Sequence, residues 1–131
     1  MARGCEYDTQ RRAAGDAVIA VLFELDPRPG AASRYFELAA ALKADLESID
    51  GFISVERFES LARPGRCLSL SFWRDEAAVR SWRCHRMHRQ AQNEGRSDVL
   101  AGYRLRVATV VRDYGMLARD QAPSDSQSAL V

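Results

Sequence analysis

Residues 18–25, Val18-Ile19-Ala20-Val21-Leu22-Phe23-Glu24-Leu25, are apolar at both parities, and Asp26-Pro27-Arg28-Pro29-Gly30 stops the run. An apolar stretch of strand length closed by proline and glycine predicts a β-strand. Apolar residues on both parities predict a central strand with neither face in water. The rest of the chain must therefore supply cover for this strand.

Ser33 is placed to cap a helix over 33–48, in which Tyr35, Leu38, Leu42, Leu46 and Ile49 recur at three- and four-residue steps as one apolar stripe. Asp50-Gly51 ends it. Residues 52–59 then alternate, with Ile53, Val55 and Arg57 on one face and Phe52, Ser54, Glu56 and Phe58 on the other. Arg63-Pro64-Gly65-Arg66 supplies a turn. Residues 67–73 return as a strand with Leu68, Leu70 and Phe72 opposite Cys67, Ser69, Ser71 and Trp73. Asp75 suits the cap of a second helix over 76–92. Residues 93–102 read as loop or frayed helix, and 103–114 as a closing strand.

The order strand–helix–strand–strand–helix–strand is the split βαβ plan. It predicts an α+β, ferredoxin-like domain with a four-stranded antiparallel sheet and two helices on one face. The last strand places Tyr103, Leu105, Val107, Thr109 and Val111 on one side, and Ala108 and Val110 with Arg104, Arg106 and Arg112 on the other. A monomer would leave an apolar sheet surface in water, so a homodimer pairing sheet against sheet is expected.

At 131 residues the chain has the size of one domain. The expected domain runs over 17–116, between a disordered extension 1–16 and a disordered tail 117–131 that lacks a core-forming pattern. Nineteen basic against eighteen acidic residues leave no field for a polyanion, which argues against nucleic acid. No apolar run approaches a membrane span or a secretory h-region, so a cytoplasmic protein is expected. Three cysteines without a Cys-x-x-Cys pair argue against a disulfide framework and a zinc knuckle. Cys67 and Cys84 are expected as small buried thiols.

Chemistry concentrates on the second helix. At 100° per residue, His85, His88 and Gln92 fall within roughly 60° of arc, with Trp82 about 60° from His85. Both histidines of the protein thus share a face with an amide and an indole, along which a cleft between helices and sheet can open. Imidazole is a proton acceptor and donor near neutrality, an indole stacks on aromatic rings, and an amide binds a carbonyl. The same residues also suit plainer roles: Trp82 as a core anchor, His85 in a structural hydrogen bond, His88 in solvent. Two histidines without a neighbouring carboxylate fall short of a metal site. Arg80, Arg83, Arg86 and Arg89 step by three along this helix, suiting either a solvated stripe or an anionic substrate.

The segments Ser71-Phe72-Trp73, Trp82-Arg83-Cys84-His85-Arg86-Met87-His88-Arg89-Gln90-Ala91-Gln92, Tyr103-Arg104-Leu105-Arg106-Val107 and Val111-Arg112-Asp113-Tyr114-Gly115 resemble antibiotic biosynthesis monooxygenase (ABM) domain proteins. The likeness covers about 18–115. It implies a dimeric ferredoxin-like barrel and a monooxygenase acting on a small electron-rich aromatic molecule, with no cofactor expected. Under it, His85 or His88 transfers the proton, Trp73 and Trp82 wall the substrate, and Gln92 and Tyr103 make polar contacts. A haem-degrading branch of the family uses an Asn, Trp and His set. Trp82 fits that Trp, but Gln92 stands where the iron-ligating His is placed, and no Asn lies in the first strand. Haem bound through His85 or His88 is the alternative, and a non-enzymatic module holding a small ligand is a third.

Overall fold

The computed structural model describes residues 17–92, those from 87 on by backbone alone, and 99–127. Among the described residues, four strands and three helices follow in the order β1 (Ile19–Pro27), α1 (Ala32–Ala41), α2 (Lys43–Ser48), β2 (Phe52–Glu59), β3 (Cys67–Trp73), α3 (Glu76–Gln92) and β4 (Leu100–Thr109). The strands form one sheet in the order β2-β3-β1-β4, every neighbour antiparallel. This is the ferredoxin-like α+β architecture, with the apolar 18–25 run at its centre.

Register decides which residues look toward the helices. Ile19 pairs with Trp73 and Thr109, Val21 with Ser71 and Val107, and Phe23 with Ser69 and Leu105. Ile19 and Trp73 join Leu46 of α2 and Ala78 of α3 in the buried core, with Val21, Ile49, Phe52, Val55, Val79 and Trp82 packed around them. The odd-numbered residues of β1, β3 and β4 therefore share the helix side. Leu22, Leu68, Leu70 and Phe72 lie on the opposite side, which no helix of the described residues covers.

The helix cover is lopsided. Both helical layers pack over β2 and β3, where Trp73 is 1% exposed. On β4, Tyr103, Leu105 and Val107 face the same side yet stay 68%, 44% and 48% exposed. Half of the helix-side face is thus core, and half is an open apolar strip.

Several local details differ from the sequence reading. The helix expected over 33–48 is two segments that meet at Leu42, whose N–H is shared between the carbonyls of Leu38 and Ala39 at 3.2 Å each. Its N-cap is Ala31, without a side-chain cap, in place of Ser33. In β2 the register shifts between Phe52 and Ser54. This bulge brings Phe52 and Val55 onto the core together and turns Ile53 outward, 52% exposed. β4 spans 100–109 where 103–114 was expected, because β1 offers it partners only from Ile19 to Pro27. The second helix was read correctly: the Asp75 Oδ1 accepts the Ala78 N–H at 2.9 Å, capping α3.

Two turns are stitched together beside the core. The Arg74 guanidinium forks onto both oxygens of Asp50 at 3.2 and 3.1 Å, and the Arg74 N–H donates to the Gly51 carbonyl at 2.7 Å. The hydrogen bonds from Arg74 hold the Asp50 carboxyl below its ordinary value. On the helix-free side, Glu24 accepts from Arg66 and Arg106 at 2.6 Å each, and the Arg66 bond chiefly lowers its pKa. Cys67 is a buried free thiol whose pKa burial pushes up. Cys84, by contrast, is disulfide-bonded where a free thiol was expected. Beyond β4, residues 110–127 form turns without a regular element, held by bonds such as Asp113 N–H to Gln121 Oε1 at 2.8 Å. No described helix is long and apolar enough to cross a membrane.

Candidate functional site

The site is built where α3 crosses the sheet. From the core outward runs a ladder of rings. Phe52 meets Trp73 edge-on at 5.2 Å, Trp73 stacks with Trp82 at 6.4 Å, and Trp82 stacks with His85 at 5.7 Å. Trp82 and His85 can stack because residues three apart on a helix are surface neighbours. Trp73 and Trp82 meet because Trp73 ends β3 on the helix side.

The ladder ends at a carboxylate. His85 Nε2 lies 3.7 Å from Asp45 Oδ2 of α2, with the two side chains 32% and 21% exposed. That separation is too long for a hydrogen bond, and Nε2 is enclosed without a hydrogen-bond partner. With Nε2 turned to Asp45, only Nδ1 can exchange a proton with a bound molecule.

A second surface adjoins the ladder. Phe23 and Tyr103 lie 5.5 Å apart, tilted by 51°, on the open apolar strip. The Arg86 guanidinium sits over the Phe23 ring, 5.9 Å from its centroid. Arg86 is one turn beyond Trp82, so a single helix face brings both the indole and the cation toward the sheet.

Of the residues singled out from sequence, the structure brings together Trp73, Trp82 and His85. Trp73 is a core residue in place of the substrate wall expected of it: it is buried, and its Nε1–H donates to Ser71 Oγ at 2.9 Å. Trp82 is half-buried, serving both as a core neighbour and as the ring behind His85. Tyr103 is exposed on the strip beside Phe23. The side chains of His88 and Gln92 lie outside the described ones. Asp45 and Phe23 were not anticipated, and Arg86 was marked only as one of four arginines that suit a solvated stripe or an anionic substrate. Asp45 follows Leu42 by three residues, along the apolar stripe of the first helical layer, which was the one signal for it.

Two concavities lie elsewhere. One of about 520 Å³ sits at the strand ends, lined by Val18, Val110, Arg112 and Gln121. Another of about 280 Å³ is on the helix-free side, lined by Leu22, Glu24, Phe58 and Arg66. Neither contains His85, and neither holds a proton-transfer pair.

The model of the family Antibiotic biosynthesis monooxygenase matches residues 18–94. The chain belongs to the antibiotic biosynthesis monooxygenase family. A protein of Pyricularia oryzae named jasmonate monooxygenase ABM is 47% identical over 93 residues, which is 71% of this chain. The chain spans 43% of the length of that relative. Among solved structures, Rv0793 of Mycobacterium tuberculosis superposes with a TM-score of 0.60 at 22% identity, covering 74% of this chain and 98% of its own. The haem degrader MhuD of the same organism superposes at 0.62 with 18% identity, covering 74% and 99%. At these identities the two structures share the fold.

Toward a haem iron, the Nε2 of His85 is closed off, enclosed and 3.7 Å from Asp45 Oδ2.

Proposed function

We propose that the chain is a cofactor-independent monooxygenase that oxidises a small electron-rich aromatic molecule held between α3 and the open strip. Family membership and a relative named a monooxygenase support the reaction type. The observation that carries the assignment of roles is the Trp82–His85–Asp45 array.

In this reading His85 takes a proton from the substrate at Nδ1, giving an imidazolium whose Nε2–H faces Asp45. The imidazole becomes a cation beside the Asp45 carboxylate as the substrate becomes an anion. An electron-rich carbanion or phenolate can pass an electron to dioxygen directly. A methylene oxidised in this way ends as a carbonyl, with one oxygen atom on carbon and the other leaving as water. All four electrons come from the substrate. The apolar strip and Trp82 would present the anion an apolar surface, with Tyr103 in contact with it.

The active form is proposed as a homodimer. Leu22, Leu68, Leu70 and Phe72 form an apolar helix-free face, with Phe58 44% exposed at its edge. A second copy seated there would remove it from water.

Oxygen uptake with anthrone-type and dihydroxyaromatic compounds tests the reaction. His85→Ala should lower uptake about 100-fold or more, the usual scale of a lost acid–base group, while circular dichroism still shows a folded chain. His88→Ala in parallel separates the two imidazoles. No uptake by the wild type, or undiminished uptake in both variants, defeats the proposal.

A further inference from the structure

We infer that the open strip and Arg86 together form a binding site for a small apolar molecule carrying a single carboxylate. Its ring or chain would lie on Phe23, Tyr103, Leu105 and Val107, and its carboxylate on the Arg86 guanidinium. This rests on the reading of the chain as an enzyme for small organic molecules and narrows the class of molecule it takes.

Charge is sorted between the two faces of the β1–β4 pair. On the helix side, Val21, Phe23 and Leu25 of β1 and Tyr103, Leu105, Val107 and Thr109 of β4 carry no charge. The charged residues of the same strands, Glu24, Asp26, Arg104 and Arg106, alternate onto the other face, where Arg66 holds both Glu24 and Asp26 and Arg106 holds Glu24. Arg86 is thus a cation brought over an uncharged surface.

Arg86 also differs in its company from the ion-paired arginines. Arg34, Arg66, Arg74 and Arg106 each pair with a carboxylate. Among the described residues Arg86 has no such partner, and its recorded contact is the Phe23 ring. It is half-buried rather than extended into water. A guanidinium laid over a ring keeps its N–H edge for a planar acceptor, and a carboxylate matches that fork with two parallel bonds.

The strip has the dimensions for such a ligand. From Tyr103 to Val107 the strand advances about 13 Å, the length of a two- or three-ring molecule. Its three exposed side chains offer apolar surface along that whole length. A neutral apolar ligand would leave the cation without a counter-charge, and a small polar anion would leave the strip in water. An apolar carboxylate satisfies both.

The probes are 1-naphthoate and its methyl ester, titrated into the purified full chain by calorimetry and by quenching of tryptophan fluorescence. Neither readout needs turnover, so a failure of oxygenation does not decide this test. We expect the acid to bind at least about tenfold more tightly than the ester, the scale of one charge-assisted hydrogen-bonded pair. Arg86→Gln should erase that preference and leave ester binding unchanged. Arg86→Lys, which keeps the charge but not the fork, should retain part of it. Leu105→Ser should weaken both compounds alike. Equal binding of acid and ester, a preference that survives Arg86→Gln, or binding of neither compound would overturn the inference.

Discussion

The helix side of the sheet is divided into two halves of different fate. Over β2 and β3, Phe52, Val55 and Trp73 pack beneath α2 and α3, and Trp73 keeps 1% of its surface. Over β4 an apolar alternation runs through Tyr103, Leu105 and Val107, yet nothing described seals it. A strand pattern specifies which face a residue takes, not whether that face is covered. The covered half carries stability, and the uncovered half is available to a ligand. The two meet at Trp82 and His85, where a rigid wall stands beside an accessible surface.

The comparison is broken most severely by removing the ring at the centre of the sealed half. Trp73 contacts Phe52, Trp82 and the Ser71 hydroxyl at once. Trp73→Ala leaves a cavity bounded by a helix and two strands, so a loss of about 3–5 kcal/mol is expected in chemical denaturation. That is a large share of the 5–15 kcal/mol typical of a domain. A loss below about 1 kcal/mol would show that the sealed half is not the core.

Gly51 gives a smaller disturbance of the same half. Its φ of +94° lies in the left-handed region, and an added Cβ would stand 2.7 Å from the Ala78 Cβ. The turn from α2 into β2 therefore needs glycine twice over, for backbone conformation and for the approach of α3. Gly51→Ala is expected to cost about 2–3 kcal/mol by the same denaturation measurement.

The sealed half was largely legible in the sequence, and the site was not. The bounds of β3 and α3, and Asp75 as the cap, follow from short-range patterns that a reader can count. The bulge at Ile53 does not: nothing in Phe52-Ile53-Ser54-Val55 marks the extra residue, and only the demand of the core for both Phe52 and Val55 reveals it. Likewise the stacking of Trp82 on His85 follows from helical spacing, but the pairing of His85 with Asp45 depends on how α2 and α3 pack together. Arg86 shows the limit most clearly. In the sequence it is one of four arginines at equal steps, suited to a solvated stripe or to an anionic substrate. The helix angle turns it over Phe23, while Arg83 remains exposed.

The smallest expected effect sharpens the comparison most. Leu105 occupies on β4 the position that Ser69 occupies on β3, each paired across β1 to Phe23. Were the strip part of the core, Leu105→Ser would approach the cost of a buried leucine, roughly 2–5 kcal/mol. With 44% of its surface already in water, the expected loss is about 0.5–1 kcal/mol, and it should not change with protein concentration. Leu70→Ser, on the helix-free face, provides the contrast. If a second copy covers that face, its melting temperature should fall and become concentration-dependent, because dimer stability is tied to mass action. A concentration-dependent loss in Leu105→Ser instead would mean that the second copy sits on the strip, and that the ligand surface and the proposed dimer surface have been exchanged.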